Sequence, residues 1–352
     1  MLGLKRIELS IISALALVTA LAGFMTISRG ASTGSFLVST VALAGLAWLV
    51  SFATEQLGER FGPAVTGLMQ STLGNLPEFF VVLFALKAGQ TVVASTSIIG
   101  SIFANALFVL GLAIIAGARA GGGVMRFSHR LPNDTATLML LAVFIIVGIG
   151  ISVASNDHAS THVNEISIIG AIALLAVYLA WVWSYIRGGA ESDPIHHGTP
   201  RIPFIVSIVL LAIAGVGAAF VSEWFVAGLE PAIDAMGISQ AFAGLVVVAI
   251  AGNAIENATG VVLAAKGKSD LAISVVKNSV SQIAVFLFPL LVLVSLLFAH
   301  TLTFALAPVW IGALALTAII VWQVTGDGEA ATWEGVALVA FYVVLAGIAL
   351  YE

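Results

Sequence analysis

The sequence predicts an all-α polytopic membrane protein with about eleven transmembrane helices, arranged as a peripheral first helix and two inverted five-helix repeats. Three observations predict this class. The 352 residues are 60% hydrophobic and only 9% charged. Polar loops separate apolar runs that are long enough to cross a bilayer. Two copies of the motif Gly-Asn-x-x-Glu, at 74–78 and 252–256, lie inside such runs.

Composition also excludes several classes of protein. The chain contains no cysteine, which excludes a disulfide framework, a thiolate nucleophile and a cysteine-based metal site. The net charge of −5 lies mainly in short loops, and no nucleic-acid partner is expected. Residues 1–26 begin with Lys5 and Arg6 and continue apolar, as a signal peptide does. We expect a retained first helix instead, because the apolar part is long and many spans follow.

Apolar runs of about 20 residues, the length needed to cross the hydrocarbon core, predict the individual helices. Eleven such runs stand between polar breaks. They cover approximately residues 8–28, 34–57, 63–87, 91–118, 132–155, 163–187, 202–223, 239–265, 269–298, 302–325 and 331–351.

Lysine and arginine predict the orientation, because cytoplasmic loops retain positive charge. With the N-terminus in the cytoplasm, only Arg29 and Lys87 fall outside, and Lys277 falls inside a span, where it pairs with a carboxylate or snorkels. The others fall on the cytoplasmic side: Lys5, Arg6, Arg60, Arg119, Arg126, Arg130, Arg187, Arg201, Lys266 and Lys268. We therefore expect a multi-pass protein of the cytoplasmic membrane, with its N-terminus inside and its C-terminus outside.

The two motifs belong to an internal repeat. A shift of 178 residues superposes them, and the same shift carries Gly89 to Gly267 and Ser101 to Ser279. The copies start five spans apart, and an odd number of crossings makes them antiparallel, which is the plan of many secondary transporters. The predicted divisions are the first helix at 1–32, the first repeat at 33–187, a cytoplasmic linker at 188–201 and the second, inverted repeat at 202–352.

Acidic residues lie near the end of the span that precedes each motif. Solvated helix ends account for them, and an acidic vestibule that concentrates cations at each mouth is the alternative. These residues are Glu55, Glu59, Glu223, Glu230 and Asp234.

Each motif directs polar side chains to one point of its helix. Residues three apart on a helix share a face, so Asn75 lies beside Glu78, and Asn253 lies beside Glu256. Each helix therefore offers an amide oxygen and a carboxylate together.

The backbone of each motif adds further oxygens. Gly74 and Gly252 precede each glutamate by about one turn, so their carbonyls can be approached closely, or the helix can break there. Pro77 lacks an N–H and cannot bond the carbonyl of Leu73. Irregular backbone at this depth is tolerated only where it lines protein or a wet cavity.

This set of oxygens suits a hard cation. A carboxylate at the centre of a membrane helix costs about 2.5–3.5 kcal/mol, and an ion path is the usual reason for one. Ca²⁺ takes roughly 6–8 oxygens, and two carboxylates would balance its charge, whereas nothing here suits a soft metal. Two facing carboxylates resist double ionisation, so protons should enter when the metal leaves. Such competition is the basis of antiport.

The spans after each motif add uncharged polar atoms. Ser97, Ser101 and Asn105 recur every fourth residue in the fourth span, and Ser279 and Gln282 lie in the corresponding region of the ninth. Two interpretations stay open, namely close packing of small residues and a polar lining of the ion path.

Both motifs extend into longer stretches that carry a family resemblance. These are GNLPEFFVVLFALKAGQ and SIIGSIFANALFVLGL in the first half, and GNAIENATGVVLAAKGKSDLA and NSVSQIAVFLFPLLVL in the second. Through them, and over essentially its whole length, the chain resembles the Ca²⁺/H⁺ antiporter (cation/proton exchanger) branch of the Ca²⁺/cation antiporter superfamily. The resemblance implies a secondary active antiporter that exchanges cytosolic Ca²⁺ for protons by alternating access. It implies no enzyme and no cofactor, since the ions are transported substrates, and it leaves the oligomeric state open.

The resemblance also implies roles for the polar residues. Glu78 and Glu256 would bind the cation and exchange it for protons. The first span would be peripheral, and sliding of the first and sixth core helices would connect the inward- and outward-open states. The implied lining comprises Asn75, Asn253, the carbonyls of Gly74 and Gly252, and polar side chains of the flanking helices at Ser101, Ser279 and Gln282.

The chain departs from the family pattern at three places. Pro77 stands where a small or hydroxyl residue is common, Asn257 stands where histidine is frequent, and the linker at 191–197 is only mildly acidic. Because these departures bear on the cation, a Na⁺/H⁺ or K⁺/H⁺ antiporter on the same scaffold is the first alternative. A cation channel is more remote, since channels usually build acidic rings by oligomeric symmetry.

Overall fold

The computed structural model describes residues 3–58, 60, 69, 72–128, 130–187 and 201–352, and their side chains except at 130–135, 185–187 and 255–256. Nearly all of this part of the chain is helical. The helices in chain order are α1 (Arg6–Arg29), α2 (Thr33–Gly58), α3 (Leu76–Lys87), α4 (Thr91–Ala120), α5 (Arg130–Ser155), α6 (Val163–Arg187), α7 (Phe204–Met236), α8 (Gln240–Gly252), α9 (Ala254–Ala265), α10 (Ser269–Ser295), α11 (Pro308–Thr325) and α12 (Thr332–Leu350).

Nine helices in the described part of the chain are long and apolar enough to cross a membrane, and the bent pair α8 and α9, with 61° between its two arms, makes a tenth candidate. This confirms the predicted class of all-helical polytopic membrane protein. The predicted span 63–87 is described only in part, because 61–68, 70 and 71 lie outside the described residues. The count of eleven therefore stays a prediction. The linker also lies outside them, except for Arg201.

Two predicted span boundaries are wrong. The span placed at 202–223 continues to Met236, because Glu223, Glu230 and Asp234 are all exposed and so do not interrupt α7. Gly237, with φ +64° in the left-handed region, ends this helix instead. The span placed at 302–325 begins only at Pro308, a residue that favours the first position of a helix.

The first of two compact units comprises Met1–Ala88, Trp181–Ile238 and Ala251–Ile255. In it α2 packs along α7 with the backbones close together. Gly228 allows this approach, since a Cβ there would lie 3.0 Å from the backbone nitrogen of Phe36. The ring of Phe36 also contacts Phe225, with 4.8 Å between the centroids. Helix α1 is the least buried of the nine long apolar helices in the described part of the chain. Only 17% of its apolar stretch is buried, as expected for a peripheral first helix.

The second unit comprises Gly89–Ala180, Ser239–Ile250 and Glu256–Glu352. Here two glycines bring α4 and α8 into backbone contact. A Cβ at Gly100 would lie 2.5 Å from the Cα of Leu245, and one at Gly244 would lie 2.9 Å from the carbonyl oxygen of Val93. No larger residue fits at either position without moving a helix.

A short two-stranded ribbon, which the sequence did not predict, accompanies the helices of the second unit. Strands β1 (Val124–Arg126) and β2 (Glu329–Ala331) pair antiparallel and join the segment after α4 to the segment before α12. Arg126 Nε lies 3.4 Å from Glu329 Oε2 across the ribbon. Both side chains are exposed, so this ion pair contributes little stability. Three-residue strands leave no readable alternation in the sequence, which explains why the ribbon was missed.

Two π-helical turns occupy corresponding positions of the repeat. They interrupt α4 at Ala104–Val109 and α10 at Ile283–Leu287, and the shift of 178 residues carries Val109 to Leu287. In α4 the amide of Asn105 donates to the carbonyl of Ser101 at 2.9 Å. A third π-helical turn lies in α8 at Ala243–Val248. Such turns change the direction of the side chains that follow them, and they are frequent at functional sites.

Candidate ion-binding site

Both Gly-Asn motifs interrupt their helices at the asparagine. Asn75 separates the helical residues 72–74 from α3, and Asn253 separates α8 from α9. Helix α3 resumes at once, because the N–H of Phe79 donates to the carbonyl of Asn75 at 2.9 Å. The helices thus open near the glycines, as the sequence suggests, but one residue later.

The break at Asn253 places the second motif against Glu78 in the first unit. Asn253 Nδ2 donates to Glu78 Oε2 at 3.3 Å, and each residue is only 3% exposed. Gly252 lies beside them, since a Cβ there would be 3.8 Å from the Cβ of Glu78. Gly252 and Asn253 of the second motif therefore lie beside Glu78 of the first motif, although 175 residues separate Glu78 from Asn253.

The start of α3 favours a negative charge on Glu78. This residue stands in the first turn of the helix, where backbone N–H groups carry a partial positive charge. Lys87 lies at the opposite end of α3 and pairs with Glu223 at 3.1 Å. The nearby helix terminus therefore acts on the Glu78 carboxylate in a buried setting, where electrostatic interactions are strong.

Helix α7 contributes a residue that the sequence reasoning missed. Ser222 is fully buried, and its Oγ donates to the carbonyl oxygen of Pro77 at 3.4 Å. Pro77 immediately precedes Glu78. The signal in the sequence was one of two hydroxyl groups in an apolar run, next to the more conspicuous charge of Glu223.

The predicted lining residues Ser101, Asn105, Ser279 and Gln282 all belong to the second unit and are at most 6% exposed. The amide of Asn105 is directed to its own helix, at the Ser101 carbonyl. The Oε1 atom of Gln282 is buried and accepts no hydrogen bond from any described residue. Native proteins rarely leave such an atom unsatisfied, so an ion or water is its expected partner.

The ion-binding roles of the predicted site residues stay predictions. The side chain of Glu256 lies outside the described part of α9, so its pairing with Glu78 stays a prediction. Gly74 lies in the helical residues 72–74. Within the described ranges, no three His, Asp or Glu side chains are placed to hold a metal ion. The predicted site has two carboxylates and depends on amide and carbonyl oxygens for the rest.

Lys277 is buried in α10 and bonds to a threonine of α11. The residue is 5% exposed, and its Nζ donates to Thr325 Oγ1 at 2.7 Å. Thr325 Oγ1 in turn donates to the carbonyl of Val321 at 2.7 Å. The ammonium group therefore links α10 to the end of α11.

The fold defines the class of the protein, a polytopic helical membrane protein. The family model described as sodium/calcium exchanger protein matches the chain twice, over residues 31–186 and 206–351. The chain therefore belongs to the sodium/calcium exchanger protein family.

Curated relatives and a solved structure agree with this assignment. A Ca²⁺/H⁺ antiporter of Synechocystis sp. is 30% identical over 338 residues, which cover 89% of this chain and 90% of the relative. The Ca²⁺/H⁺ antiporter ChaA of Bacillus subtilis is 28% identical over 317 residues, which cover 88% and 90%. The solved structure of native YfkE matches with a TM-score of 0.81 and 26% identity, over 97% of this chain and 100% of that one. The predicted resemblance to the Ca²⁺/H⁺ antiporter branch is confirmed.

Proposed function

We propose that this protein is a secondary active antiporter that exchanges cytosolic Ca²⁺ for protons by alternating access, with Glu78 and Glu256 binding cation or protons in competition. The observation that carries the proposal is the hydrogen bond from Asn253 Nδ2 to Glu78 Oε2, which brings polar side chains of both motifs to one buried point. The names of the two relatives support Ca²⁺ and H⁺ as the substrates. We expect no enzymatic activity and no cofactor.

The chemistry of the exchange follows from the groups at this point. The Asn253 amide donates to the Glu78 carboxylate. When Ca²⁺ enters, rotation of the amide would turn Oδ1 toward the cation, because an asparagine side chain carries both a donor and an acceptor. When Ca²⁺ leaves, protons neutralise the carboxylates, since two adjacent negative charges are costly in a buried site. One site thus alternates between two kinds of positive charge.

The orientation and the domain division belong to the same proposal. The two matches of the family model support a first repeat at 33–187 and a second, inverted repeat at 202–352, preceded by a helix at 1–32 and joined by a cytoplasmic linker at 188–201. The distribution of Lys and Arg supports a cytoplasmic N-terminus in the cell's inner membrane. Protons would then enter the cell as Ca²⁺ leaves.

Proton release from acid-loaded, inside-out vesicles tests the proposal. Ca²⁺, Na⁺ or K⁺ is added to vesicles that contain the wild type, Glu78→Gln, Glu256→Gln or the control Glu165→Gln. The control removes the same charge from an exposed position of α6. We expect release on Ca²⁺ with the wild type and the control, and at least about a 100-fold loss of rate in the other two variants. Proton release on Na⁺ or K⁺ alone would identify those ions, and not Ca²⁺, as the substrate. Cation flux without proton movement would show that the protein is a channel and not an antiporter.

A further inference from the structure

We propose that Ser222 is a positioning residue for Glu78, and that its hydroxyl group holds the Pro77 carbonyl and thereby sets the direction of the carboxylate. The inference rests on the proposed function only for the identity of the ion that Glu78 takes up. Its geometry lies entirely within the first unit, where Ser222 Oγ lies 3.4 Å from the Pro77 oxygen.

The hydroxyl group acts through a rigid peptide unit. The carbonyl of Pro77 and the nitrogen of Glu78 belong to one planar group, so fixing the carbonyl oxygen fixes the plane from which the Glu78 side chain leaves the backbone. Pro77 has a locked φ angle, which removes a further degree of freedom at this point. The carboxylate then meets the Asn253 amide at 3.3 Å. A small rotation of the peptide would move both oxygens of Glu78 away from this position.

Helix α7 contacts α3 at both ends through adjacent residues. Ser222 bonds to the first turn of α3 at Pro77, and Glu223 pairs with Lys87 in the last turn. The ion pair is exposed, with side-chain exposures of 59% for Lys87 and 47% for Glu223, and contributes little. The bond from Ser222 is buried, so water does not compete for it. Of the two contacts, the buried bond from Ser222 is therefore the one that we expect to fix the start of α3.

The same helix supplies a matched control at Ser207. This residue is also fully buried in α7, and its Oγ also donates to a carbonyl at 3.4 Å, but the acceptor is Pro203, at the start of the same helix. Ser207→Ala removes an equivalent hydroxyl group without touching α3. A difference between Ser222→Ala and Ser207→Ala therefore reports on the contact with Pro77.

The first measurement is the Ca²⁺ dependence of proton release in vesicles. We expect Ser222→Ala to raise the KM for Ca²⁺ about 2- to 10-fold, the effect of losing one hydrogen bond, with kcat changed less than about 2-fold. Ser222→Thr keeps the hydroxyl group and should restore the KM, and Ser207→Ala should match the wild type. Equal behaviour of Ser222→Ala and Ser207→Ala would overturn the inference. If Ser222→Ala fails to accumulate in the membrane, Ser222→Cys, which replaces the hydroxyl group with a weak donor, takes its place.

A second measurement separates this inference from the proposed function. A hydrophobic carbodiimide reacts with buried carboxyl groups, and the labelled fraction of the peptide that contains Glu78 is read by mass spectrometry without any transport. We expect a labelling rate changed about 2- to 10-fold in Ser222→Ala and unchanged in Ser207→Ala. If the wild type moved no protons on adding Ca²⁺, the proposed function would fail, and the labelling result alone would decide on Ser222. Equal labelling rates in Ser222→Ala and Ser207→Ala would show that Ser222 does not position Glu78.

Discussion

At the residue scale, the buried carboxylate of Glu78 needs hydrogen bonds, because an unsatisfied charge in an apolar interior is costly. Asn253 supplies one at 3.3 Å, and the first turn of α3 supplies a favourable field. An asparagine suits this role better than an acid, since its amide can stabilise the carboxylate and its oxygen can bind a cation. The amide is thus compatible with both occupants that we propose.

Replacing Asn253 by alanine tests this interpretation. Loss of the proposed Oδ1 ligand should raise the KM for Ca²⁺ about 10- to 100-fold, the magnitude of one polar contact with a charged group. The measurement is the initial rate of Ca²⁺-driven proton movement, with Asn164→Ala, at an exposed position, as the control. An unchanged KM in Asn253→Ala would contradict a ligand role for this amide.

Gly252→Ala separates folding from ion binding. The added methyl group would meet the Cβ of Glu78 at 3.8 Å, an ordinary van der Waals contact, so we expect normal accumulation and an unchanged melting temperature. The methyl group would also lie beside the side chain whose carboxylate we propose to bind the ion, so the transport rate should fall about 10-fold or more. Full activity in this variant would argue against an ion beside Gly252.

At the scale of elements, the contact of α4 with α8 depends on two glycines in the second unit. Gly100 meets the backbone of Leu245, and Gly244 meets the backbone of Val93. Sequence reasoning placed both glycines inside helices but gave them no partner, because the same apolar pattern fits a glycine that faces lipid. A glycine that packs against another helix and a glycine that faces lipid differ only in whether an added Cβ would contact other atoms.

Gly100→Ala should therefore destabilise the protein, whereas Gly148→Ala should not. A Cβ at Gly100 would lie 2.5 Å from the Cα of Leu245, while one at Gly148 meets no atom within 4 Å. We expect a cost of about 1–3 kcal/mol or more for the first variant and none for the second. Thermal unfolding in detergent measures both, and equal melting temperatures would contradict the close approach of α4 and α8.

At the scale of the whole molecule, the absence of cysteine makes the topology directly testable. Ala159→Cys places a thiol in the segment after α5, and Lys266→Cys places one between α9 and α10. Both positions are exposed. With the N-terminus inside, a membrane-impermeant maleimide added to intact cells should label the first variant and not the second. Reversed labelling would invert the proposed orientation.

The sequence by itself determined the class of the protein, and it predicted the repeat and the type of oxygen atoms at the candidate site. Hydropathy, Lys and Arg placement and motif spacing are local properties, so they can be read without coordinates. The helix boundaries are an exception. Helix α7 ends before Gly237 and helix α11 begins at Pro308, and neither boundary coincides with the change in polarity along the sequence.

Only the tertiary structure decided which of these groups meet. It placed Asn253 on Glu78 across 175 residues and Ser222 on Pro77 across 145 residues, and it directed the Asn105 amide to its own helix. The physical reason is that a contact between distant segments depends on how helices pack, and packing follows the shapes of both partners. A hydroxyl group in an apolar run has the same local sequence signal whether it faces its own helix, as Ser207 does, or another, as Ser222 does.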